Sequence, residues 1–134
     1  LPIWQGAVLL HGNERRGALY PPTVVDRVPH DAELVREETF GPVCSFIGYQ
    51  REEEALSRIN ASPFGLAASV WSENIRKALR YSDAINAGIV WVNMHTFLDP
   101  AVPFGGMKGS GIGREFGSAF IDDYTELKSV MVRY

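Results

Sequence analysis

Cysteine is almost absent: Cys44 is the only one in 134 residues. No internal disulfide framework can form, and a reducing, cytoplasmic setting is expected. No apolar run approaches the roughly 18 residues needed to span a bilayer. The opening Leu1-Pro2-Ile3-Trp4 lacks the charged start and apolar stretch of a signal peptide. It also lacks an initiating methionine, so the chain is expected to be cut from something longer. Positive charge is in deficit, with a formal net charge of −3, which argues against a nucleic-acid binder held by phosphate contacts. The densest basic spot, Arg15-Arg16, reads as a solvated loop. His11 and His30 have no acidic or cysteine partners at metal-ligand spacing, so no metal site is expected. Asn60-Ala61-Ser62 matches a glycosylation acceptor by chance, because Pro63 follows and secretory features are missing.

What is present is the material of a soluble α/β domain: 46% hydrophobic and 22% charged residues, enough to bury a core. Short apolar runs at Ala7–Leu10 and Thr23–Val25 read as strands, and Pro42 opens a third at Val43–Tyr49. The period then changes. Glu52-Glu53-Glu54 precede Leu56 and Ile59, a helix stopped by Ser62-Pro63. Leu66–Trp71 reads as a strand. Ser72 is a plausible N-cap for a helix to about Ala87, with Ile75, Ala78, Leu79, Ser82 and Ile85 along one side and Gly88 as the stop. Ile89–Val92 is a fully apolar strand of the kind buried on both faces. Segment 43–92 is therefore predicted to be a parallel-sheet βαβαβ core. A glycine-rich loop, a short helix around Arg114–Ile121 and a last strand at Leu127–Arg133 follow.

Five motifs in order resemble the aldehyde dehydrogenase superfamily: Glu37-Glu38-Thr39-Phe40-Gly41-Pro42, Asn60 to Val70 with its Phe64-Gly65-Leu66-Ala67-Ala68, Gly88 to Asn93, Pro103 to Glu115, and Tyr124-Thr125-Glu126. The resemblance covers essentially the whole chain and aligns it with the C-terminal portion of such an enzyme, an aromatic or phenylacetaldehyde-type member being one candidate. It implies three parts: residues 1–107 from the end of the catalytic domain, 108–126 as a glycine-rich crossing and short helix, and 127–134 as an oligomerisation strand. The reaction implied is oxidation of an aldehyde to a carboxylic acid with NAD or NADP, through a cysteine thioester.

The resemblance assigns Glu38 to the hydroxyls of the nicotinamide ribose, because a carboxylate can accept two hydrogen bonds from a vicinal diol. Phe40 would project to the same side of an extended segment and pack against that ribose. Without the resemblance, Glu37-Glu38 would read as a solvated charge pair. Residues 94–104 would line the aldehyde tunnel, with His95, Phe97, Leu98 and Phe104 forming an apolar, partly aromatic wall that favours an aryl or bulky aliphatic aldehyde. An ordinary core-facing loop is the alternative for Phe97 and Leu98, and His95 reads as a hydrogen-bonded wall residue rather than a general base.

The glycine-rich stretch 105–113 fails the phosphate-loop patterns and reads as a tight backbone crossing. Cys44, between Val43 and Ser45 in an apolar strand, reads as a buried structural thiol, outside the Gln-x-Cys context of the family nucleophile. No catalytic residue is assigned to the chain, and the piece alone is expected to be inactive. The expected partners are an aldehyde and further copies of the chain, a dimer or tetramer formed through 127–134, with no nucleic acid and no membrane. The competing readings are a truncated non-catalytic paralogue acting as an oligomerisation or binding module and, behind it, a standalone nucleotide-binding domain.

Overall fold

A computed structural model describes residues 6–134; the opening Leu1–Trp4, read above as no signal peptide, lies outside the described residues. The chain divides into two compact units between Gly48 and Tyr49. Among the described residues no helix is long and apolar enough to cross a membrane.

In the first unit, β1 (Val8–His11) and β2 (Val24–Asp26) pair antiparallel, where the two short apolar runs place them. Leu9 lies opposite Val25, and the register shifts between Leu9 and His11. The turn out of β1 depends on backbone freedom. Gly12 and Asn13 both have positive φ, and a side chain at Gly12 would strike the Pro22 carbonyl. Thr23 Oγ1 accepts from the Asn13 backbone N–H at 3.0 Å, and Tyr20 Oη donates to Asn13 Oδ1 at 2.6 Å.

A single helical turn, α1 (Glu33–Arg36), was not expected from sequence because four residues carry no readable period. Residues 43–49 form no strand, contrary to the expectation. β-Branched residues supply propensity, but a strand also needs a neighbour for its hydrogen bonds, and none pairs with this segment among the described residues. With no sheet to cover it, Cys44 is exposed, which corrects its reading as a buried thiol.

The second unit holds α2 (Glu52–Ala61), β3 (Phe64–Gly65), β4 (Ala67–Val70), α3 (Ile75–Ala84), β5 (Ile89–Val92), β6 (Met107–Lys108) and α4 (Phe120–Asp123). β4 and β5 pair in parallel with α3 as the crossover, so the structure contains one βαβ unit where sequence predicts βαβαβ. β3 and β6 form a two-residue antiparallel pair. α2 keeps its expected bounds. Asn60 ties its end to the end of α3, donating to the Ala84 carbonyl at 2.7 Å and accepting from the Asn86 N–H at 2.8 Å.

α3 differs from its prediction in three ways. Asn74, rather than Ser72, is the N-cap and accepts from the Lys77 N–H at 3.1 Å, while Ser72 Oγ holds the Asn74 N–H one step upstream. The helix ends at Ala84. Its buried face is Ala78 and Tyr81, continued by Ile85, while Ile75 and Leu79 stay exposed. The helix lies on a two-stranded sheet, which covers only a narrow strip of it. The same narrowness explains why only Trp91 of β5 is buried, its other three residues being half-buried.

Two expectations near the C-terminus also need correction. The helix expected over 114–121 starts only at Phe120, because Phe116 and Gly117 both have positive φ and break any helix before them. Residues 127–133 form no strand and pair with nothing among the described residues; Leu127, Val130, Met131, Val132 and Tyr134 are all exposed.

Glu52 at the start of α2 receives both Lys77 and Arg80 of α3. The hydrogen bond from Lys77 holds the Glu52 carboxyl below its ordinary value of 4.5, and the same bond holds the Lys77 ammonium above its ordinary 10.5. The Glu52 contribution is therefore present above its unfolded pKa and lost as pH falls through the lowered folded value. The Lys77 contribution is present below its unfolded pKa and lost as pH rises through the raised one. Glu52→Gln is expected to flatten the acid arm of melting temperature against pH. An acid arm parallel to that of the parent protein would show that the cluster is fully screened by solvent.

Candidate functional site

The second unit presents its most organised loop directly after β5, at the C-terminal end of a parallel strand, where α/β sheets place ligands. Asn93 leaves the strand with φ 55°, a left-handed conformation that asparagine tolerates. Its side chain holds residue 72 twice: Oδ1 accepts from the Ser72 N–H at 2.8 Å, and Nδ2 donates to the Ser72 carbonyl at 3.0 Å. Its own N–H continues to the Val70 carbonyl at 2.8 Å. The loop then folds back: Trp91 Nε1 donates to the Phe97 carbonyl at 2.7 Å, and His95 Nδ1 shares a hydrogen bond of 2.7 Å with Ser69 Oγ. The side chains of Phe97 and Leu98 remain exposed, 57% and 45%.

The far end of the loop is fixed to the chain that follows the glycine-rich stretch. Asp99 caps a tight turn, accepting from the Ala101 N–H at 2.9 Å. The Pro100 carbonyl accepts from Gly117 at 2.9 Å, and Phe104 and Glu115 exchange two backbone hydrogen bonds of 2.7 Å. Phe104 is half-buried at this bridge. The loop is thus held at both ends by backbone atoms and by side chains outside it.

The glycine-rich stretch behaves as the tight crossing expected. A Cβ at Gly105 would come within 2.6 Å of the Gly113 carbonyl, and one at Gly106 would strike the Ser110 carbonyl. Lys108 Nζ donates to the Asn60 and Ser62 carbonyls at 3.0 Å each, closing the C-terminal end of α2. A lysine so engaged is a helix cap, which agrees with the failed phosphate-loop pattern. Sequence reasoning did not anticipate the open groove beside the crossing, lined by Leu66, Phe104, Ile112, Arg114 and Tyr124 among others. Arg114 shapes it by donating to the Gly106 and Gly113 carbonyls at 2.9 and 2.7 Å.

Glu38 and Phe40 lie in the first unit, on the irregular segment after α1. Both are exposed, Phe40 at 92%. No group of His, Cys, Asp and Glu that could hold a metal occurs among the described residues. Of the residues singled out from sequence, His95, Phe97, Leu98 and Phe104 share one loop. Ser69 and Trp91, which hold it, were missed; both lie within the motifs Asn60 to Val70 and Gly88 to Asn93, and the two apolar segments align as parallel neighbours.

Comparison with known proteins places this geometry in a family. The family model described as "Aldehyde dehydrogenase family" matches residues 3–130. The chain is 45% identical over 117 residues to 2-hydroxymuconic semialdehyde dehydrogenase of Pseudomonas putida, covering 87% of this chain and 24% of that protein. It is 39% identical over 137 residues to phenylacetaldehyde dehydrogenase of Pseudomonas fluorescens, covering 98% and 27%. The structure of an aldehyde dehydrogenase from Bacillus cereus in complex with NAD+ superposes with a TM-score of 0.84 at 44% identity, covering 97% of this chain and 27% of that one. The chain therefore spans about a quarter of the length of the relatives it matches. A match over nearly all its residues, together with a shared α/β fold, shows that the chain belongs to the aldehyde dehydrogenase family.

Proposed function

We propose that this chain forms the C-terminal portion of an enzyme that oxidises an aldehyde to a carboxylic acid with NAD(P)+ through a cysteine thioester. The observation that carries the proposal is the doubly anchored loop 94–104 at the end of a parallel strand, in a chain of this family. In this reading Phe97, Leu98 and Phe104, with His95, form one wall of the aldehyde tunnel. The exposed apolar surface of Phe97 and Leu98 suits an apolar or aromatic aldehyde.

The cofactor fits the residues available. Glu38 makes no hydrogen bond or ion pair among the described residues, so its carboxylate is free to accept from a ribose diol. The exposed ring of Phe40 offers a flat apolar face two residues on. When bound, the nicotinamide supplies the hydride acceptor. Glu38 and Phe40 hold its ribose; residues 94–104 orient the aldehyde and exclude water from it. The first 107 residues then complete a catalytic domain, with β4, α3 and β5 as part of its α/β core, and 108–126 cross from it. The apolar residues of 127–134 pair with another subunit in a dimer or tetramer. The low cysteine content of this part fits a cytoplasmic enzyme.

Cys44 is the only thiol, and its Val43-Cys44-Ser45 setting is unlike that of the family nucleophile. These 134 residues, purified alone, are expected to give no reduced nicotinamide with any aldehyde. The full-length enzyme containing them is expected to turn over phenylacetaldehyde with a higher kcat/KM than succinic semialdehyde. Dehydrogenase activity in the isolated chain would overturn the first expectation. A preference for the charged semialdehyde would overturn the apolar wall.

A further inference from the structure

The parallel register of β4 and β5 sets Ser69 opposite Trp91, so the two side chains share one face of the sheet. His95 returns over that pair. Its Nδ1 lies 2.7 Å from Ser69 Oγ, and its ring meets Trp91 edge-on, with centroids 5.4 Å apart and planes at 73°. Trp91 is 7% exposed, and its indole N–H reaches past His95 to the Phe97 carbonyl at 2.7 Å. Two strand residues therefore fix two points of the loop, while the side chains of Phe97 and Leu98 carry no structural bond of their own.

We propose that Trp91 and Ser69 are positioning residues that set aldehyde selectivity. The proposal rests on the reading of residues 94–104 as the aldehyde-facing wall. Trp91 acts through the main chain of Phe97, and Ser69 acts through the imidazole of His95. A wall held in place before substrate arrives does not have to be ordered by the substrate, so binding loses less free energy to ordering. Releasing either anchor moves that cost onto aldehydes bulky enough to touch the wall. A small aldehyde that barely reaches it is spared.

The test uses the full-length enzyme containing this chain, at saturating nicotinamide nucleotide, with phenylacetaldehyde and acetaldehyde as probes. W91F keeps an aromatic ring and removes the indole donor; S69A removes the hydroxyl. Each is expected to raise KM for phenylacetaldehyde about fivefold, the effect of losing one hydrogen bond. The acetaldehyde KM and both kcat values are expected to stay within about twofold. S69T, which keeps a hydroxyl, is expected to restore the phenylacetaldehyde KM.

Equal KM increases for both aldehydes, or S69T behaving as S69A, would overturn the selectivity role. Ser69 is the less buried of the two, so S69A keeps the test open if W91F fails to fold. F97A and L98A run beside them separate the wall from its anchors. If these also leave the phenylacetaldehyde KM unchanged, the wall itself is misassigned. If they change it while W91F and S69A do not, the positioning role alone falls.

Discussion

Gly88→Ala is expected to destabilise the protein by more than about 3 kcal/mol, enough to remove most soluble folded material. Gly88 sits where β5 begins, and its N–H donates to the Gly65 carbonyl at 3.0 Å. A Cβ built there would fall onto the carbonyl oxygen of Gly105, with the Leu66 carbonyl at 3.2 Å on another side. All of these neighbours are backbone. They cannot swing aside as a long side chain can, so relief requires moving the crossing or the strand. The appropriate control is Gly48→Ala, where a Cβ meets nothing within 4 Å and φ is not positive. That variant is expected to melt within about 0.5 kcal/mol of the parent protein. Thermal or urea unfolding of the pair decides the matter, since a Gly88→Ala protein as stable as its control would refute the close approach.

Glu38→Gln in the full-length enzyme is the second large effect. If the carboxylate accepts from both ribose hydroxyls, its replacement weakens two charge-assisted hydrogen bonds, a loss of about 2–3 kcal/mol. That corresponds to a fall of about a hundredfold in kcat/KM for the nucleotide. Stability is expected to be unchanged, because Glu38 is exposed and engages no partner among the described residues. Its neighbour supplies the internal comparison: Glu37→Gln alters the same local charge yet is expected to leave the kinetics alone, because adjacent residues of an extended segment point opposite ways. Equal losses in the two variants would reduce the effect to general electrostatics, and no loss in either would remove Glu38 from the cofactor site.

Local features of this chain were readable where they depend on few residues. The Glu52–Ala61 helix announces itself by three leading acids and a Ser-Pro stop, and β5 by an unbroken apolar run. The crossing at 105–113 was legible because glycine has few other uses at such density. Features that depend on a distant neighbour were not. Val43–Tyr49 has the composition of a strand without a partner, and the cap of α3 went to Asn74 because Asn93, 21 residues away, holds the Ser72 backbone while the Ser72 hydroxyl accepts from the Asn74 N–H. The site shows the same division. Phe104, Ser69 and Trp91 all stand in recognisable motifs, but the hydrogen bonds of Ser69 and Trp91 to the loop become visible only once two strands lie in register.

The anchoring of the loop after β5 has an evolutionary consequence. Its shape is maintained through the Phe97 carbonyl, the Asn93 amide and two strand side chains, none of which depends on what residues 97 and 98 carry beyond Cβ. If residues 94–104 face the aldehyde as proposed, stability and ligand preference are thereby written into different positions. On that reading, mutations at 97 and 98 can explore new side-chain shapes on an unchanged backbone, and a lineage can move among aldehydes without passing through poorly folded ancestors.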